Sequence, residues 1–402
     1  MVELADVRIR SIFDSRGNPT VEVDVITKDG KMGRAAAPSG ASKGSLEVAD
    51  YPSGGLDVGM LRFRSSLVPK LKRAFSSQEE LDSLLHEIDG TNNLSKIGGN
   101  IAIALSLAFA KAFAASEGMP LYRHIGGVGK LKLPRPVGNV IGGGKHAING
   151  TVMQEFLAVA EGRTYYDSIK AAIAVHKKIG QMLRQKFPNL ALGLGDEKAW
   201  VAPLSDMDAL GIVRDASVST SSEIGVPLNP AIDLAATSFF ENGKYAYKDR
   251  ALAPAEQIEF VAKLVNQFGI KIVEDPLHES DFDGFTSLTK LIGSKSIVVG
   301  DDLFVTNTKM LQKGIEKGAA NGVLIKPNQI GTLTEMINTV KLAHANGYTT
   351  MISHRSGETE DTTIAHLAVG LGIKYIKTGT VGGERLAKHN ELIRIEEEIL
   401  AQ

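Results

Sequence analysis

The chain has 402 residues, 43% of them hydrophobic, 23% charged and 6% aromatic, which suits two or three domains at about 150 residues each and a large core. With 45 basic and 46 acidic side chains the formal charge is -1, so no excess field exists to hold a nucleic acid or an anionic membrane. Cysteine is absent, which excludes disulfides, thiolate metal sites, iron-sulfur clusters and a Cys nucleophile, and leaves chemistry to oxygen and nitrogen side chains.

The first residues, MVELADVRIR, carry Glu3 and Asp6 where a signal peptide needs a basic start and an apolar run, so a cytoplasmic chain is expected. In IRSIFDSRGNPTVEVDVITKDGKMGRAAAP the alternating VEVDVI core lies between a GNP and a KDG turn, which predicts an antiparallel meander. After the Gly/Ser-rich PSGASKG and the turn-rich YPSGGLDVG, helical patterns run over residues 59–75, 78–87 and 100–116. The apolar stretch IAIALSLAFA is about half the roughly 20 residues of a spanning helix, so a buried helix is expected and no membrane span. Strands followed by helices predict a small α+β domain over residues 1–130, with GGVGKLKLPRP as its boundary.

Over residues 131–402 short apolar runs alternate with helical patterns, and each run ends on a charged or polar residue. The runs are VMQEFLAV, LALGLGDE, AIDLAA, KIVEDP, SIVVGDD, VLIKPN, TMISHR and YIKTGT. The last six place Asp233, Glu274, Asp301, Lys326, His354 and Lys377 at separations of 41, 27, 25, 28 and 23 residues, the length of a strand-helix unit. Eight runs predict a TIM-type (β/α)8 barrel, with a doubly wound open sheet as the alternative. In a barrel the chemistry sits at the C-terminal strand ends, so these charges converge on one mouth.

Asp233, Glu274 and Asp301 come from successive strand ends, and hard oxygen ligands without Cys point to Mg²⁺ in preference to Zn²⁺. Two lysines and a His-Arg pair share the mouth, which fits a multiply anionic ligand such as a phosphorylated carboxylic acid. A lysine between metal and substrate is expected to have a lowered pKa, so Lys326 or Lys377 could act as a base. Proton removal beside a carboxylate builds negative charge that a metal ion stabilises, which suits a Lys base working with Mg²⁺.

The motifs SRGNPTVEVDV, PSGAS, IDGTNNLSKIGGN, KHA, QEF, GDE, EDP, GDDLFVTN, IKPNQIGTLTE, SHRSGET and IKTG with ERLAKHNELIRIEEE occur in order along essentially the entire chain. In these the sequence resembles the enolase family. The resemblance implies reversible dehydration of 2-phosphoglycerate to phosphoenolpyruvate, in glycolysis and gluconeogenesis. It implies Lys326 as general base and Glu197 as general acid, with Asp233, Glu274 and Asp301 holding one Mg²⁺. Ser39 is similar to a lid ligand of a second Mg²⁺. Arg355 and Ser356 resemble phosphate contacts, His354 a neighbour positioning that group, and Lys377 a charge on the substrate carboxylate. His146, Gln154 and Glu155 resemble residues completing the site. The family also implies a homo-oligomer, a dimer or an octamer of dimers.

Other features carry less. Residues 40–44, GASKG, match the G-x-S-x-G nucleophile elbow through Ser42, but turn residues follow too soon for the helix that motif requires, and a glycine-hinged lid fits better. His86, His124, His278 and His389 are expected at the surface or an interface. The sequence departs from the family near the chemistry: GDEKAWVAP is one residue longer than the usual GDEGGFAP, Gly142 replaces an Asn, Lys43 replaces a Thr, and the ELRDGD element is reduced to Glu47-Val48-Ala49-Asp50. Two rival functions are a superfamily lyase or racemase acting on an unphosphorylated acid, against which Arg355 and Ser356 argue, and a binding protein retaining the fold, against which the intact catalytic positions argue.

Overall fold

The computed structural model describes residues 1–402 except Ser42, Val128, Lys130, Ile148, Asn149 and Gln402. The serine of the GASKG match and the expected boundary residue 130 therefore lie outside the described residues.

The N-terminal meander forms as its alternation dictates: β1 (Val2–Phe13), β2 (Pro19–Thr27) and β3 (Met32–Ala36) pair antiparallel, and Val21, Val23 and Val25 of β2 are fully buried. Asp14 closes the first turn by accepting from the Arg16 and Asn18 amides, each at 2.9 Å. Helices α1 (Gly55–Arg62) and α2 (Val68–Leu71) are joined by a π turn over Phe63–Leu67. The helix expected to continue to residue 75 stops, because Ala74–Phe75 is β4, an edge strand on β1. Then come α3 (Gln78–Asp89), α4 (Gly99–Ser116) and α5 (Leu121–Gly126).

Helix α4 is long and apolar enough to cross a membrane by length and composition, and 83% of it is buried inside the molecule. It packs on β2 and β3. The approach is so close that a Cβ at Gly33 would stand 2.0 Å from the Ala108 carbonyl oxygen.

The larger domain is a closed barrel. Among the described residues its eight strands are β5 (Arg135–Gly142), β6 (Glu155–Ala160), β9 (Leu228–Asp233), β13 (Ile272–Glu274), β14 (Ile297–Gly300), β15 (Gly322–Ile325), β16 (Thr349–Ser353) and β17 (Tyr375–Lys377), with β17 pairing back onto β5. Between them lie a hairpin of β7 (Gly193–Leu194) and β8 (Trp200–Val201), and a small sheet of β10 (Phe240–Glu241), β11 (Lys244–Ala246) and β12 (Ala251–Leu252). Helices α6 (Tyr165–Lys186), α7 (Asp206–Ile224), α8 (Pro254–Phe268), α9 (Phe282–Ile292), α10 (Thr308–Lys317), α11 (Pro327–Ile330), α12 (Leu333–Ala345), α13 (Thr363–Gly370) and α14 (Gly383–Leu400) follow in chain order.

Several expectations change. LALGLGDE is not a barrel strand: Leu190 and Leu194 are exposed, and the run leads into the β7–β8 hairpin. The eighth strand is RPVGNVIG, residues 135–142, inside what the sequence offered as linker and glycine loop. The barrel is also not wholly parallel, since β6 runs antiparallel to both β5 and β9. Reversal brings the N-terminal end of β6 to the mouth that the other strands reach with their C-terminal ends. His389, expected near the surface, is buried, with its Nδ1 2.6 Å from the Tyr165 hydroxyl.

Candidate active site

Each strand delivers its residue for a local reason. In β9 and β13 the parallel register sets Asp233 beside Glu274. Asp301 follows β14, Lys326 follows β15 as the residue before the Pro that opens α11, and Lys377 ends β17. Glu155 opens the reversed β6, opposite Asp233. Glu197 comes from the tip of the β7–β8 hairpin, closed by Lys198 with φ of 60° and by the Gly195 amide bonded to the Ala199 carbonyl at 2.9 Å. The chain's sole tryptophan anchors that hairpin: the Trp200 indole donates to the His176 carbonyl (2.9 Å) and stacks on its ring.

Left-handed backbone gathers in the loops after these strands, at Ala235, Asp275, Val305 and Thr306, with φ of 47, 38, 42 and 55°. Such conformations cost of order 1–3 kcal/mol each and persist only where the surroundings enforce them. Here Asp275 does so by accepting the Asp301 and Asp302 amides, both at 2.8 Å.

Eleven of the thirteen residues expected from sequence line one cavity: His146, Gln154, Glu155, Glu197, Asp233, Asp301, Lys326, His354, Arg355, Ser356 and Lys377. The twelfth, Glu274, is fully buried against Lys377. The thirteenth differs from expectation. Ser39 donates its hydroxyl to Asp14 (2.5 Å) and pairs its backbone with Gly357, so as placed it faces away from the carboxylates.

The charges hold one another. Lys377 Nζ lies 2.9 Å from Asp233, 2.8 Å from Glu274 and 3.2 Å from Glu155. Lys326 Nζ lies 2.5 Å from Asp301, whose other oxygen accepts from Gln329 at 2.9 Å. Arg355 makes a two-point contact with Glu47 at 3.0 and 3.1 Å and donates to Asn328 at 3.0 Å. His354 Nε2 and His146 Nδ1 stand 3.4 and 3.8 Å from Glu197.

Titration follows this geometry. Burial works against the Lys326 ammonium, but Asp301 outweighs it and its pKa is raised; Lys377 is raised further against burial, by Asp233, Glu155 and Glu274. The lowered lysine pKa is expected with a metal ion and substrate beside the ammonium; with carboxylates as the nearest charges the direction is upward. Burial and the neighbouring Glu197 push Glu155 far up, while Glu197, against burial, is drawn down by His354 and His146. Burial and Asp233 likewise raise Glu274.

Two groups offer metal-ligand atoms within 4.8 Å of one another, His146 with Glu155 and Glu197, and Asp275 with Asp301 and Asp302. Asp233 and Glu274 belong to neither group among the described residues, since Lys377 holds them. Their fit to a hard divalent cation rests on donor chemistry: all are carboxylate oxygens, Glu274 Oε1 is buried without a hydrogen-bond partner, and an ammonium already lies among them.

Comparison with known proteins agrees with this architecture. The family model described as "Enolase, N-terminal domain" matches residues 4–125, and "Enolase, C-terminal TIM barrel domain" matches residues 130–402. The chain is 51% identical over 400 residues to the Enolase of Picrophilus torridus, covering 99% of both chains. It is 51% identical to the Enolase of Methanothermobacter thermautotrophicus, covering 98% of this chain and 97% of that one, and 46% identical to that of Thermoplasma acidophilum, covering 98% of each. The chain belongs to the enolase family. Membership makes it a lyase with phosphopyruvate hydratase activity, acting in glycolysis on a small-molecule substrate and using a divalent metal.

Several residues of this enolase-family site escaped sequence reasoning. Asp275 and Asp302 are the second acids of EDP and GDD, and burial with neighbouring acids pushes Asp302 up to about 7. The doublets themselves were the available signal. Glu47, in the reduced segment, is the partner of Arg355 across 308 residues, and no local pattern announces it. Lys43, the departure in the lid, pairs with Asp50.

Proposed function

We propose that the chain catalyses the Mg²⁺-dependent, reversible dehydration of 2-phosphoglycerate to phosphoenolpyruvate, serving glycolysis and gluconeogenesis. It does so in the cytoplasm, as a homo-oligomer (a dimer or an octamer of dimers), with residues 1–130 as the lid-bearing domain and 131–402 as the catalytic barrel. The observation that carries this reading is one cavity in which carboxylates, two buried lysines and a buried arginine meet within hydrogen-bonding distance.

Asp233, Glu274 and Asp301 would hold the metal ion, which when bound supplies positive charge against the negative charge developing on the substrate carboxylate. Ser39 joins them only by leaving Asp14. Lys326 is the base, and it must first give up the Asp301 contact that now keeps it protonated. Glu197 is the acid for the departing hydroxyl. Lys377 faces the substrate carboxylate, Arg355 and Ser356 the phosphate, and His354 aligns that group. His146, Gln154 and Glu155 close the wall.

The test is turnover itself. Phosphoenolpyruvate absorbance should appear from 2-phosphoglycerate, vanish in EDTA and return with Mg²⁺. No turnover with Mg²⁺ restored would sink the reading.

A further inference from the structure

The ERLAKHNELIRIEEE motif opens α14, and the proposed mechanism uses none of it. Yet Arg385 in its first turn is fully buried and spends its guanidinium on the residues 354–356. Nη1 donates to His354 Nδ1 at 2.8 Å and to the Arg355 carbonyl at 2.7 Å, and Nη2 donates to the Ser356 carbonyl at 2.7 Å. Three bonds from one planar fork grip three consecutive residues. The path is narrow: a Cβ on Gly379 would stand 3.2 Å from Arg385 Cγ, and Gly379 has φ of +69°.

The bond to His354 has a chemical consequence. A guanidinium is always protonated and can only donate, so Nδ1 must accept and carries no proton. A neutral imidazole in that position bears its proton on Nε2. Nε2 lies 3.4 Å from Glu197 Oε1 and makes no hydrogen bond among the described residues.

We propose that Arg385 is a positioning residue for the reaction: it fixes His354 as the neutral Nε2–H tautomer facing Glu197 and holds the Arg355-Ser356 backbone in its anion-facing conformation. Burial, with the Arg385 charge adding to it, also pushes His354 down to about 4, so the ring stays neutral at working pH. One side chain thereby links the two ends of the site, the acid that serves the leaving hydroxyl and the loop that faces the phosphate. Its neighbour one turn on, Lys388, is equally buried but reaches further along the loop, to the Thr359 carbonyl at 2.8 Å and to Glu358 at 2.9 Å, and back to the Glu384 carbonyl of its own helix at 3.0 Å. It touches neither His354 nor Glu197 by any hydrogen bond described, and so serves as the control.

The catalytic half of this proposal rests on the proposed reaction; the tautomer does not. Protein carrying ¹⁵N-labelled histidine, without substrate, is examined by two-bond ¹H–¹⁵N spectroscopy, with the His354 signal assigned by its loss in His354→Gln. The expected pattern is protonated Nε2 and bare Nδ1 throughout pH 6 to 8, even if the enzyme proves inactive on 2-phosphoglycerate. An Nδ1–H tautomer in the unaltered protein overturns the proposal whether or not any variant folds. Arg385→Met should mix the two tautomers and lower kcat about 100-fold, the scale of a small misplacement at a reacting centre. Arg385→Lys, which keeps one donor but loses the fork, should retain the Nε2–H tautomer and raise KM about tenfold with a smaller change in kcat. Lys388→Met should lower the melting temperature without moving the His354 ring signals. If Arg385→Met folds and leaves both tautomer and kcat unchanged, or if Lys388→Met shifts the ring signals as far as Arg385→Met does, Arg385 is structural only.

Discussion

Two layers of the same barrel, two residues apart, obey opposite rules. Ile272, Val299, Leu324, Met351 and Tyr375 point inward and make an apolar layer with Val137, Leu157, Val159 and Ala231. One inward step along the same strands stand Glu274, Asp301, Lys326, Ser353 and Lys377, and on the reversed β6 Glu155 overlies Leu157. Period-two alternation places both members of each pair on one side of the sheet, roughly 7 Å apart. The lower layer is held by area removed from water, which declines gradually as atoms are deleted. The upper ring has no water beneath it and is held by pairing, so it fails when one partner goes. A catalytic mouth of charges is stable here because each charge has another within reach, and because the layer below forbids relaxation towards solvent.

The comparison can be broken at its most reactive point first. Lys326→Ala should lower kcat by about 10²–10⁴-fold, the usual worth of a positioned acid or base. It should also stop exchange of the substrate α-proton with D₂O. Persisting exchange would move the base elsewhere in the ring.

Lys377→Met removes the ammonium that Asp233, Glu274 and Glu155 share. Breaking a buried pair from one side is worth about 3–5 kcal/mol, so unfolding in EDTA should come at lower denaturant, and excess Mg²⁺ should recover more stability than it adds to the unaltered protein. Equal stability in EDTA would show that shared protons, not Lys377, balance these carboxylates.

In the lower layer, Leu324→Ala should cost about 2–5 kcal/mol by cavity formation while kcat changes less than tenfold. A loss of rate matching that of Lys326→Ala would mean that the two layers act as one unit. The smallest effect belongs outside both. His86 on α3 meets Glu335 on α12 at 2.9 Å, and Glu335 raises its pKa against burial. Because the folded value is raised, the stabilisation is fully present below the unfolded value of about 6.5 and is lost as pH climbs through the folded one, by at most about 1 kcal/mol for so exposed a pair. Urea unfolding of His86→Ala against the unaltered protein should differ at pH 5.5 and converge by pH 9; a constant difference assigns His86 a packing role.

The layered arrangement also explains what could be read from the sequence. The strands β9 to β17 of the barrel wall were legible because each apolar run stops at a residue that carries chemistry, and twelve of thirteen candidates do meet at the mouth or directly on Lys377. Strand β5 was not, since Pro136 argues against a central strand and Gly138 and Gly142 look like loop, although Pro136 falls at the strand's start and pairs with Ile376. The run 190–197 imitated a strand by alternation while Leu190 and Leu194 face solvent. The motifs containing Glu47, Asp275 and Arg385 were visible, but their pairings were not, because partners such as Glu47 and Arg355 meet only in the tertiary structure. A lysine's pKa depends on whether a carboxylate or a cation is its nearest neighbour, and spacing along a chain does not tell which.

Trp200 gives the molecule an optical address. It is the only indole in the chain, three residues from Glu197 and clamped to α6 through His176, so its emission reports on that hairpin without competing signal. The chain has no thiol either, and Lys43, on the loop after β3, is exposed. A single cysteine placed there would be the sole attachment point for an acceptor dye, and energy transfer from the indole would then report the distance between that loop and the hairpin.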